Sequence, residues 1–310
     1  MEEVFVEIEC PVCDGSDFDT IVEITPSEFL NDFRKGYYNL NALKIGLDTK
    51  FYIQQCKKCT FVMLNPRFNN YYHNIAYNDA KKGQYDKYGW MFEDGELKKL
   101  YNTHKKYYAS IILLESIAFL KKRFNKVKNI DCKPIRLLDY GCGFGHILDL
   151  CNVFGIEAKG VEIDDTRLRY CVSKGLNVCR PEDISEDEKF DIVISENVVE
   201  HVNDLNDYFL YIVNRLHVGG IFVFTGLTSK IIPIETRQKK YQYFVPIEHI
   251  NYFTPLSLKL IIEKYDLKKL PTFKMIQSIE SYRHLLYPVA KMYFKEFYPN
   301  GAMKVRLFKA

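Results

Sequence analysis

Apolar runs typical of buried strands alternate with amphipathic segments typical of helices from Pro134 onward. The strand-like runs are IRLLDY, EAKGVEI, LNVCR, FDIVISE and IFVFTG, and the helix-like segments among them are HILDLCNVFG, DTRLRYCVSKG and DLNDYFLYIVNRLHVGG. This alternation predicts an α/β fold in which helices cover both faces of a mostly parallel sheet. A Thr-Pro pair predicts the start of another helix in TPLSLKLIIEKYD. TFKMIQSIE and MKVRLFKA predict a closing pair of strands.

The chain before Pro134 has a different pattern. Residues 1–68 contain short β-like pieces such as KFYIQQC around two cysteine pairs, which predicts a small separate module. Residues 69–92 are polar and aromatic and predict a linker or a capping segment. Apolar residues spaced three and four apart then predict a helix from Glu93 to about Phe124. The expected organisation is a module at 1–68, a linker and helical cap at 69–133, and the α/β domain at 134–310.

Composition narrows the range of partners. The 310 residues are 47% apolar and 27% charged, as in ordinary globular proteins. A net charge of +3 from 43 basic and 40 acidic residues lacks the basic footprint that nucleic-acid binding requires. No run approaches the ~18 apolar residues of a membrane span, and MEEVFVEIEC has acids where a signal peptide has bases. We expect a cytoplasmic protein; no sequence signal defines an oligomeric state.

A glycine-rich turn in LLDYGCGFGH is the first candidate for binding chemistry. Asp139 ends a predicted strand, and Gly141, Gly143 and Gly145 let the backbone turn tightly and approach a ligand without an intervening Cβ. The helix that follows presents backbone N–H groups to the same place. The dinucleotide fingerprint would put its third small residue at His146, one position later, so the spacing favours a nucleoside without a pyrophosphate. A dinucleotide site or a simple packing turn is the alternative.

Further motifs follow this turn in order: GVEID, PEDI and FDIVISENVVEHV. With them, the stretch from Pro134 to Leu260 resembles the class I methyltransferases that use S-adenosylmethionine, whose first motif reads acid-x-Gly-x-Gly-x-Gly. The resemblance implies a Rossmann-like sheet, a methyltransferase activity and S-adenosylmethionine as the cofactor. The cofactor-binding residues that it implies are Asp139, Gly141, Cys142, Gly143, Gly145, Glu162, Ile163, Asp183, Glu196 and Asn197.

Individual residues have implied roles within that set. Glu162 accepts hydrogen bonds from the ribose hydroxyls, Ile163 lies against the adenine, and Asp183 meets the adenine amino group. Glu196 and Asn197 border the cofactor, and Cys142 contributes its backbone. Simpler explanations exist for single residues: Asp139 as a strand-end cap, Glu162 as a solvated acid and Asp183 as a helix cap.

Two C-x2-C pairs, Cys10 with Cys13 and Cys56 with Cys59, suggest a metal centre. Two such knuckles can complete a tetrahedral Zn²⁺ site in which four thiolates leave no open position, so the metal would be structural. An iron–sulfur cluster and unligated buried cysteines are the alternatives. CPVC followed by YIQQCKKCTFVMLNPR resembles the zinc-binding segment fused to many bacterial class I methyltransferases, including sugar C-methyltransferases. That resemblance implies a zinc-ribbon-like module.

The candidate acceptor site lies in FVPIEHINYFTP, which follows the fifth predicted strand. Glu248 and His249 are adjacent titratable residues, and a histidine is the usual proton acceptor near neutral pH. A similar Glu-His pair in sugar C-methyltransferases implies that His249 is the catalytic base, although Pro246 and Ile247 replace the Tyr-His dipeptide that often precedes it. O-, N- and C-methylation stay open. His201 in VVEHV is a further catalytic candidate, and a packing or capping role is its alternative. For Glu248 and His249 the alternative is a structural pair that anchors the loop.

Three functions are compatible with these motifs. The first hypothesis is a methyltransferase for a small molecule, with a sugar, nucleotide-sugar or glycan precursor as substrate. The second is an RNA methyltransferase, because some rRNA enzymes pair a zinc module with this fold. SENVV at the end of the fourth strand lacks the Asn/Asp-Pro-Pro-aromatic motif of such enzymes, which argues against it. The third is a cofactor-binding relative without turnover.

Overall fold

The computed structural model describes residues 3–30, 36–88, 92–93, 96–97, 134–153, 155–239, 241, 243–269 and 302–309. The first part of the chain forms a small antiparallel module followed by a helix. Its elements are β1 Phe5–Val6, β2 Phe18–Ile24, α1 Pro26–Phe29, β3 Phe51–Cys56, β4 Val62–Leu64, β5 Arg67–Phe68 and α2 Asn70–Tyr88. A short antiparallel pair comes next, β6 Phe92–Glu93 with β7 Glu96–Leu97.

The strand β3 shows why the module folds. Phe51 and Ile53 are 1% and 0% exposed, whereas the alternate residues Tyr52 and Gln54 are half-buried. This period of two directs one face of the strand into a core. Strand β3 pairs antiparallel with β2 and β4, so the cysteine that ends it, Cys56, lies opposite Phe18.

The second part of the chain is an α/β domain. Its elements are β8 Arg136–Tyr140, α3 His146–Val153, β9 Glu157–Val161, α4 Asp165–Ser173, β10 Val178–Cys179, a 3₁₀ turn Pro181–Asp183, β11 Phe190–Ser195, α5 Leu205–Arg215, β12 Leu216–Leu227, α6 Ile231–Gln238, β13 Asn251–Tyr252, α7 Pro255–Lys264, β14 Leu267–Lys269 and β15 Ala302–Lys309. The strand order is β10-β9-β8-β11-β12-β15-β14. The first five strands are parallel, and β15 is antiparallel to both of its neighbours. The predicted α/β sheet is confirmed.

Helices cover both faces of this sheet. Successive strand residues point to opposite faces, so Leu137 and Leu138 enter different cores. Leu137 packs in the cluster that contains Ile147 of α3. Leu138 packs in the cluster that contains Phe209 of α5 and Ile261 of α7. The sheet is therefore a middle layer, as the apolar runs in its strands predict.

Side-chain caps fix where the helices begin. Asp164 Oδ1 accepts the backbone N–H of Arg167 at 2.8 Å at the start of α4. Asp204 does the same for α5, and Thr254 Oγ1 accepts the N–H of Ser257 at 3.1 Å at the start of α7. The predicted Thr-Pro helix start is confirmed by α7. Each cap satisfies a backbone donor that the helix itself leaves unpaired.

The module and the α/β domain share a sheet. Strand β13 from the α/β domain pairs antiparallel with β4, which gives a four-stranded sheet in the order β13-β4-β3-β2. Arg67 crosses the same boundary: its side chain is 1% exposed, and Nη1 donates to the carbonyl of Asn203 at 3.1 Å. Burial lowers the pKa of Arg67 to about 10. Buried main-chain and side-chain bonds therefore hold the two parts together.

The segment predicted as a linker or cap begins with the helix α2. Its buried residues Tyr72, His73, Ala76 and Ala80 recur at three- and four-residue spacing on one face. Tyrosine, histidine and small residues give this face a weak hydrophobic signal, so the pattern did not predict a helix. The stripe packs into the same core as Phe51 and Phe68, and packing thus stabilises the helix.

Two element boundaries differ from the prediction. The sequence predicts a helix that continues through LHVGG, but α5 ends at Arg215 and β12 begins at Leu216, because Val218, Gly219 and Gly220 are poor helix formers. The start of the predicted helix at Glu93 is a strand residue paired with Glu96. Residues 94–95 and 98–124 of that predicted helix, and TFKMIQSIE, lie outside the described residues. MKVRLFKA is confirmed as a strand, paired with β12 and β14.

None of the helices in the described ranges has the length and apolar content that crossing a membrane requires.

Candidate active site

The glycine turn lies at the carboxyl end of β8, where parallel α/β sheets place their ligand sites. Its three glycines have φ values of +80°, +59° and +75°, all in the left-handed region. A Cβ on Gly141 would lie 2.4 Å from Val198, and a Cβ on Gly145 would lie 2.4 Å from Leu176. A Cβ on Gly143 would meet nothing within 4 Å. Protein therefore packs against the two outer glycines, and the middle glycine faces open space for a ligand.

Glu162 at the end of β9 fixes the shape of this turn. Its carboxylate is 2% exposed and accepts three backbone N–H groups, from Gly143 at 2.9 Å and from Ile163 and Asp164 at 2.8 Å each. Arg167 Nη1 lies 3.9 Å from the same carboxylate. A carboxylate has about four lone-pair sites, so capacity for a ligand hydroxyl is left. The alternative of a solvated acid is wrong, because the side chain is buried.

Three carboxylates, those of Asp139, Glu162 and Glu196, interact electrostatically beside the turn. Asp139 is 2% exposed. Burial raises the pKa of Asp139 well above its ordinary value, and the carboxylates of Glu196 and Glu162 raise it further. Crowded acids of this kind repel one another, and a cation placed among them relieves that repulsion. This group of carboxylates is thus electrostatically suited to a positively charged ligand.

The other predicted cofactor residues surround the turn. Ile163 is 52% exposed beside Glu162, which leaves its side chain accessible to a flat ring. Asp183 accepts the backbone N–H of Arg180 at 3.1 Å, so the capping role proposed as the alternative is present. Asn197 has a φ of +55°, and its N–H donates to Thr225 Oγ1 at 2.9 Å. That these residues contact a cofactor remains a prediction.

Cys142 contributes its backbone to the turn, as the sequence predicts. Its N–H donates to the carbonyl of Val161 at 2.9 Å, and its side chain packs against Gly160. A hydrogen bond with Cys171 and burial raise the pKa of the Cys142 thiol well above its ordinary value. Both thiols pack as small buried residues.

The four paired cysteines come together in the module. Sγ of Cys10 lies 3.4 Å from Sγ of Cys59, Sγ of Cys13 lies 3.6 Å from Sγ of Cys56, and all four sulfurs lie within 4.8 Å of one another. Ligands on a tetrahedral Zn²⁺ with bonds of about 2.3 Å stand roughly 3.8 Å apart, so the set fits one ion. Burial raises the pKa of Cys59 to about 12, and an ion would replace the thiol protons.

Each cysteine pair lies in a tight knuckle. The carbonyl of Cys10 accepts the N–H of Asp14, and the carbonyl of Cys56 accepts the N–H of Thr60, both at 2.8 Å. Asp14 and Thr60 have φ values of +55° and +60°, which turn the chain back after each pair. The two knuckles therefore face each other with the same local geometry.

On the acceptor side, His201 and His249 lie against each other with ring centroids 4.6 Å apart. Nδ1 of His249 lies 2.5 Å from the carbonyl of Tyr243, and Nδ1 of His201 lies 2.9 Å from the carbonyl of Glu248. A carbonyl oxygen can only accept, so both Nδ1 atoms carry the proton. In the neutral rings Nε2 is therefore the basic nitrogen, as a proton acceptor requires.

Glu248 connects the acceptor side to the module. Its side chain is 5% exposed, and the Tyr38 hydroxyl donates a hydrogen bond to Oε1. The anchoring role that was the alternative for Glu248 is thus present. Asn251 anchors the opposite side of this loop, because its Nδ2 donates to the carbonyls of Val199 at 3.1 Å and Val202 at 2.7 Å.

Helix α2 forms a further wall of the acceptor side. The His73 ring donates from Nε2 to the carbonyl of His201 at 2.7 Å, and burial lowers the pKa of His73 to about 4. The ring of Tyr77 packs edge-on against His201 at 6.0 Å. Burial raises the pKa of Tyr77, and the carboxylates of Glu162 and Glu248 raise it further.

Sequence reasoning missed Tyr38, His73, Tyr77, Glu200 and Asn251 as parts of the site. Glu200 is 3% exposed and offers a carboxylate oxygen within 4.8 Å of a nitrogen of each of His201 and His249. In the sequence, only the position of Glu200 next to His201 in VVEHV indicated a role for it. The module residues reach the site through tertiary packing alone.

Comparison with known proteins places the chain in a family. A family model described as a methyltransferase domain matches residues 107–272, more than half of the chain. The chain therefore belongs to this methyltransferase family, and the expected class of enzyme is confirmed.

Proteins similar to this chain include two bacterial ubiquinone biosynthesis O-methyltransferases. The one from Rickettsia bellii (strain OSU 85-389) is 27% identical over 163 residues, which cover 50% of this chain and 63% of that protein. The one from Pelagibacter ubique (strain HTCC1062) is 29% identical over 199 residues, which cover 58% of this chain and 76% of that protein. The chain thus spans less than two thirds of the length of the Rickettsia relative.

Solved structures agree on the fold. The plantazolicin methyltransferase BpumL in complex with SAH superposes with a TM-score of 0.52 at 9% identity, covering 77% of this chain and 94% of that one. Its complex with a pentazolic desmethylPZN analog and SAH gives a TM-score of 0.53 at 12% identity, covering 77% and 95%. At this identity the likeness defines the Rossmann-like methyltransferase fold.

Proposed function

We propose that the protein transfers the methyl group of S-adenosylmethionine to an oxygen of a small molecule. The observation that carries this proposal is the meeting of two sets of side chains at one edge of the sheet. Asp139 and Glu162 lie beside the glycine turn, and His201 and His249 pack against each other on the other side, next to the ring of Tyr77. Membership of the methyltransferase family supports the reaction type.

The cofactor fits the turn by shape and by charge. S-adenosylmethionine carries a cationic sulfonium and an ammonium, which complement the crowded carboxylates of Asp139, Glu162 and Glu196. The open space at Gly143 lets a nucleoside approach the backbone. Glu162 orients the turn through its three backbone bonds and keeps acceptor capacity for a ribose hydroxyl.

The acceptor side performs positioning and proton removal. Transfer from a sulfonium is an in-line displacement in which positive charge disappears, so the protein mainly orients the acceptor and excludes water. A hydroxyl must also lose its proton, and Nε2 of His249 or His201 can accept it. Glu248, held by Tyr38, positions the loop that carries His249. The names of the two bacterial relatives favour oxygen as the methylated atom.

Two acceptor classes have specific support. A sugar, nucleotide-sugar or glycan precursor is favoured by the resemblance of the cysteine segment and EHINYFTP to sugar methyltransferases. A small molecule of ubiquinone biosynthesis is favoured by the names of the curated relatives. Both classes supply hydroxyl groups, so the proposed chemistry is the same.

The module holds a structural Zn²⁺ in this proposal. Cys10, Cys13, Cys56 and Cys59 provide four thiolates at tetrahedral spacing, and a closed site of this kind stabilises a fold rather than catalysing a reaction. Because the module also supplies Tyr38, the metal acts on the acceptor side indirectly.

The proposal is tested in two stages with the full chain. Calorimetry with S-adenosylmethionine should give one binding event per chain, and absence of binding rejects the proposal. Incubation with [methyl-¹³C]S-adenosylmethionine and panels of sugars, nucleotide-sugars and ubiquinone precursors should then yield a product. NMR of the labelled methyl carbon separates O-, N- and C-methyl groups. A product methylated on nitrogen or carbon would contradict the assignment to oxygen.

A further inference from the structure

Three side chains on the acceptor side, Glu200, His201 and His249, form what we call the acceptor cluster. One carboxylate oxygen and one nitrogen of each ring all lie within 4.8 Å of one another. Glu200 is 3% exposed and His249 is 8% exposed, whereas His201 is half-buried. The cluster is therefore recessed but open on one side, as a site that admits a ligand must be.

Hydrogen bonding orients the cluster for electron-pair donation. Nδ1 of His249 donates to the carbonyl of Tyr243, and Nδ1 of His201 donates to the carbonyl of Glu248. Each neutral ring then presents the lone pair of Nε2. Metal-binding histidines show this arrangement, because a second N–H bond to a backbone carbonyl fixes the tautomer and increases the basicity of the ligand nitrogen.

The backbone that carries the cluster is also fixed. The carbonyl of Glu200 accepts the N–H of Ile250 at 2.8 Å, which ties the segment after β11 to the segment before β13. Asn251 adds its two bonds to the carbonyls of Val199 and Val202. The His201 and His249 rings are 4.6 Å apart, and two imidazoles bound to one ion at about 2.1 Å have centroids roughly 4.5–5 Å apart. The scaffold thus holds the two rings at a spacing that one ion can bridge.

We propose that the acceptor cluster binds a divalent first-row transition-metal ion. Two imidazoles and one carboxylate favour ions such as Mn²⁺, Fe²⁺, Co²⁺ or Zn²⁺ over Mg²⁺, which prefers oxygen ligands. Three protein ligands leave coordination positions for an oxygen of the methyl acceptor. This site is separate from the four cysteines and chemically different from them.

The role of this ion rests on the proposed function, whereas its binding does not. A hydroxyl oxygen bound to a divalent ion has a lowered pKa, so the hydroxyl is more readily ionised for attack on the sulfonium methyl group. The same ion would occupy the Nε2 lone pairs that the base hypothesis assigns to a proton. The two alternatives therefore predict different behaviour when metal is removed.

Binding is tested by titrating Co²⁺ into the full chain after its cysteine site has been filled with one equivalent of Zn²⁺. The expected result is one equivalent of bound Co²⁺ with visible ligand-field bands and without a thiolate charge-transfer band. Mg²⁺ at the same concentration should not compete. Absence of ligand-field bands, or bands accompanied by thiolate charge transfer, overturns the proposal.

Variants locate the ion. His249→Asn keeps a side-chain N–H in reach of the Tyr243 carbonyl but removes the Nε2 ligand, and Glu200→Gln removes the carboxylate charge. Each should weaken Co²⁺ binding about a hundredfold or more. His217→Asn, at an exposed histidine, is the matched control and should leave binding unchanged. Unchanged Co²⁺ affinity in the two cluster variants contradicts the proposal.

Crystals of the unaltered protein provide a test that no folding defect can obscure. After soaking in Co²⁺, an anomalous difference map should show a peak between Glu200, His201 and His249. An ion only at the cysteines would overturn the site. For its role, zinc-loaded protein without the second ion should lose methyl transfer while still binding S-adenosylmethionine. Full activity in that state rejects the role, and failure to bind S-adenosylmethionine rejects the proposed function instead.

Discussion

The proposed cofactor side and the proposed acceptor side of the site are built in different ways. The cofactor side comes from one stretch of chain in which Asp139, the glycine turn and Glu162 follow one another within 24 residues. The acceptor side is assembled from the module, α2, the segment after β11 and the segment before β13. Tyr38 and Glu248 are 210 residues apart in sequence and share a hydrogen bond. The first side depends on local geometry, and the second depends on tertiary packing.

A module that lies apart from the α/β domain in sequence can therefore contribute side chains to the proposed acceptor side. Tyr38, His73 and Tyr77 contact Glu248 or His201 from outside the α/β domain. Changes in the module should therefore alter acceptor use, and changes in the turn should alter cofactor binding. Each of the following predictions tests whether the two sides are independent in this sense.

The largest effect is expected from Cys59→Ser. Loss of one thiolate should release the proposed zinc ion and unfold the module, at a cost of several kcal/mol, since structural zinc sites contribute on the order of 10 kcal/mol to folding. Methyl transfer should disappear while S-adenosylmethionine still binds. Elemental analysis and calorimetry measure the two effects. Cys179→Ser, at a half-buried cysteine outside the knuckles, should retain metal and activity. A zinc-free variant that remained active would break the link between the module and the acceptor side.

Gly143→Ala should act on the cofactor side alone. A left-handed φ of +59° costs an alanine about 1–2 kcal/mol, and the added methyl group would enter the open space that the cofactor needs. We expect S-adenosylmethionine affinity to fall more than tenfold. Gly175→Ala is matched, with a φ of +71° and no atom within 4 Å of its Cβ position, but it lies beyond α4. Gly175→Ala should lower thermal stability as much as Gly143→Ala does but leave the affinity for S-adenosylmethionine normal. Equal losses of affinity in the two variants would show that Gly143 does not lie at the cofactor.

Glu162→Gln should weaken binding by about 1–3 kcal/mol, because a charged acceptor of the ribose bonds and of the turn is removed. Calorimetry measures this loss. Glu157→Gln, at the exposed start of the same strand, serves as the control. An affinity within twofold of the unmodified protein would remove Glu162 from the set of cofactor contacts.

A smaller effect is expected from Tyr38→Phe, which removes the hydroxyl that donates to Glu248. Loss of one hydrogen bond to a charged group costs about 1.5–3 kcal/mol if Glu248 is ionised, and about 1 kcal/mol otherwise. The loss should fall on kcat/KM for the acceptor and leave S-adenosylmethionine affinity unchanged. Tyr71→Phe, at a tyrosine that is 60% exposed, should have no effect. A change in cofactor affinity instead would show that the two sides are coupled.

The smallest effect concerns pH. The pKa of Asp139 is raised on folding, so the folded chain keeps a proton that the unfolded chain loses near pH 4. Stability without cofactor should therefore fall as pH rises from about 3.9 toward the raised pKa. A cationic ligand favours the ionised acid, so affinity for S-adenosylmethionine should rise over the same range. Asp139→Asn should abolish both trends in unfolding and binding measurements; their persistence would assign them to another group.

The sequence predicted the cofactor side better than the acceptor side for a physical reason. The turn around Gly143 and the acid Glu162 follow buried strands at fixed spacing, and each strand has a clear apolar pattern. Helix α2 buries a stripe with weak hydrophobicity, and β13 is only two residues long, so neither has a period that can be recognised. Tyr38 lies in a turn whose position depends on packing between distant segments. Hydrophobic periodicity along the sequence does not report such packing.

The pairing of β13 with β4 has a consequence for biosynthesis. Val62 and Tyr252 are partners in this pair, although 190 residues separate them. At a translation rate of about 5–20 residues per second, the edge of β4 waits roughly 10–40 s for its partner to leave the ribosome. During that interval the exposed edge can pair with other nascent chains. We therefore expect chaperones to engage ribosome-bound chains that end before Asn251 more strongly than those that include β13.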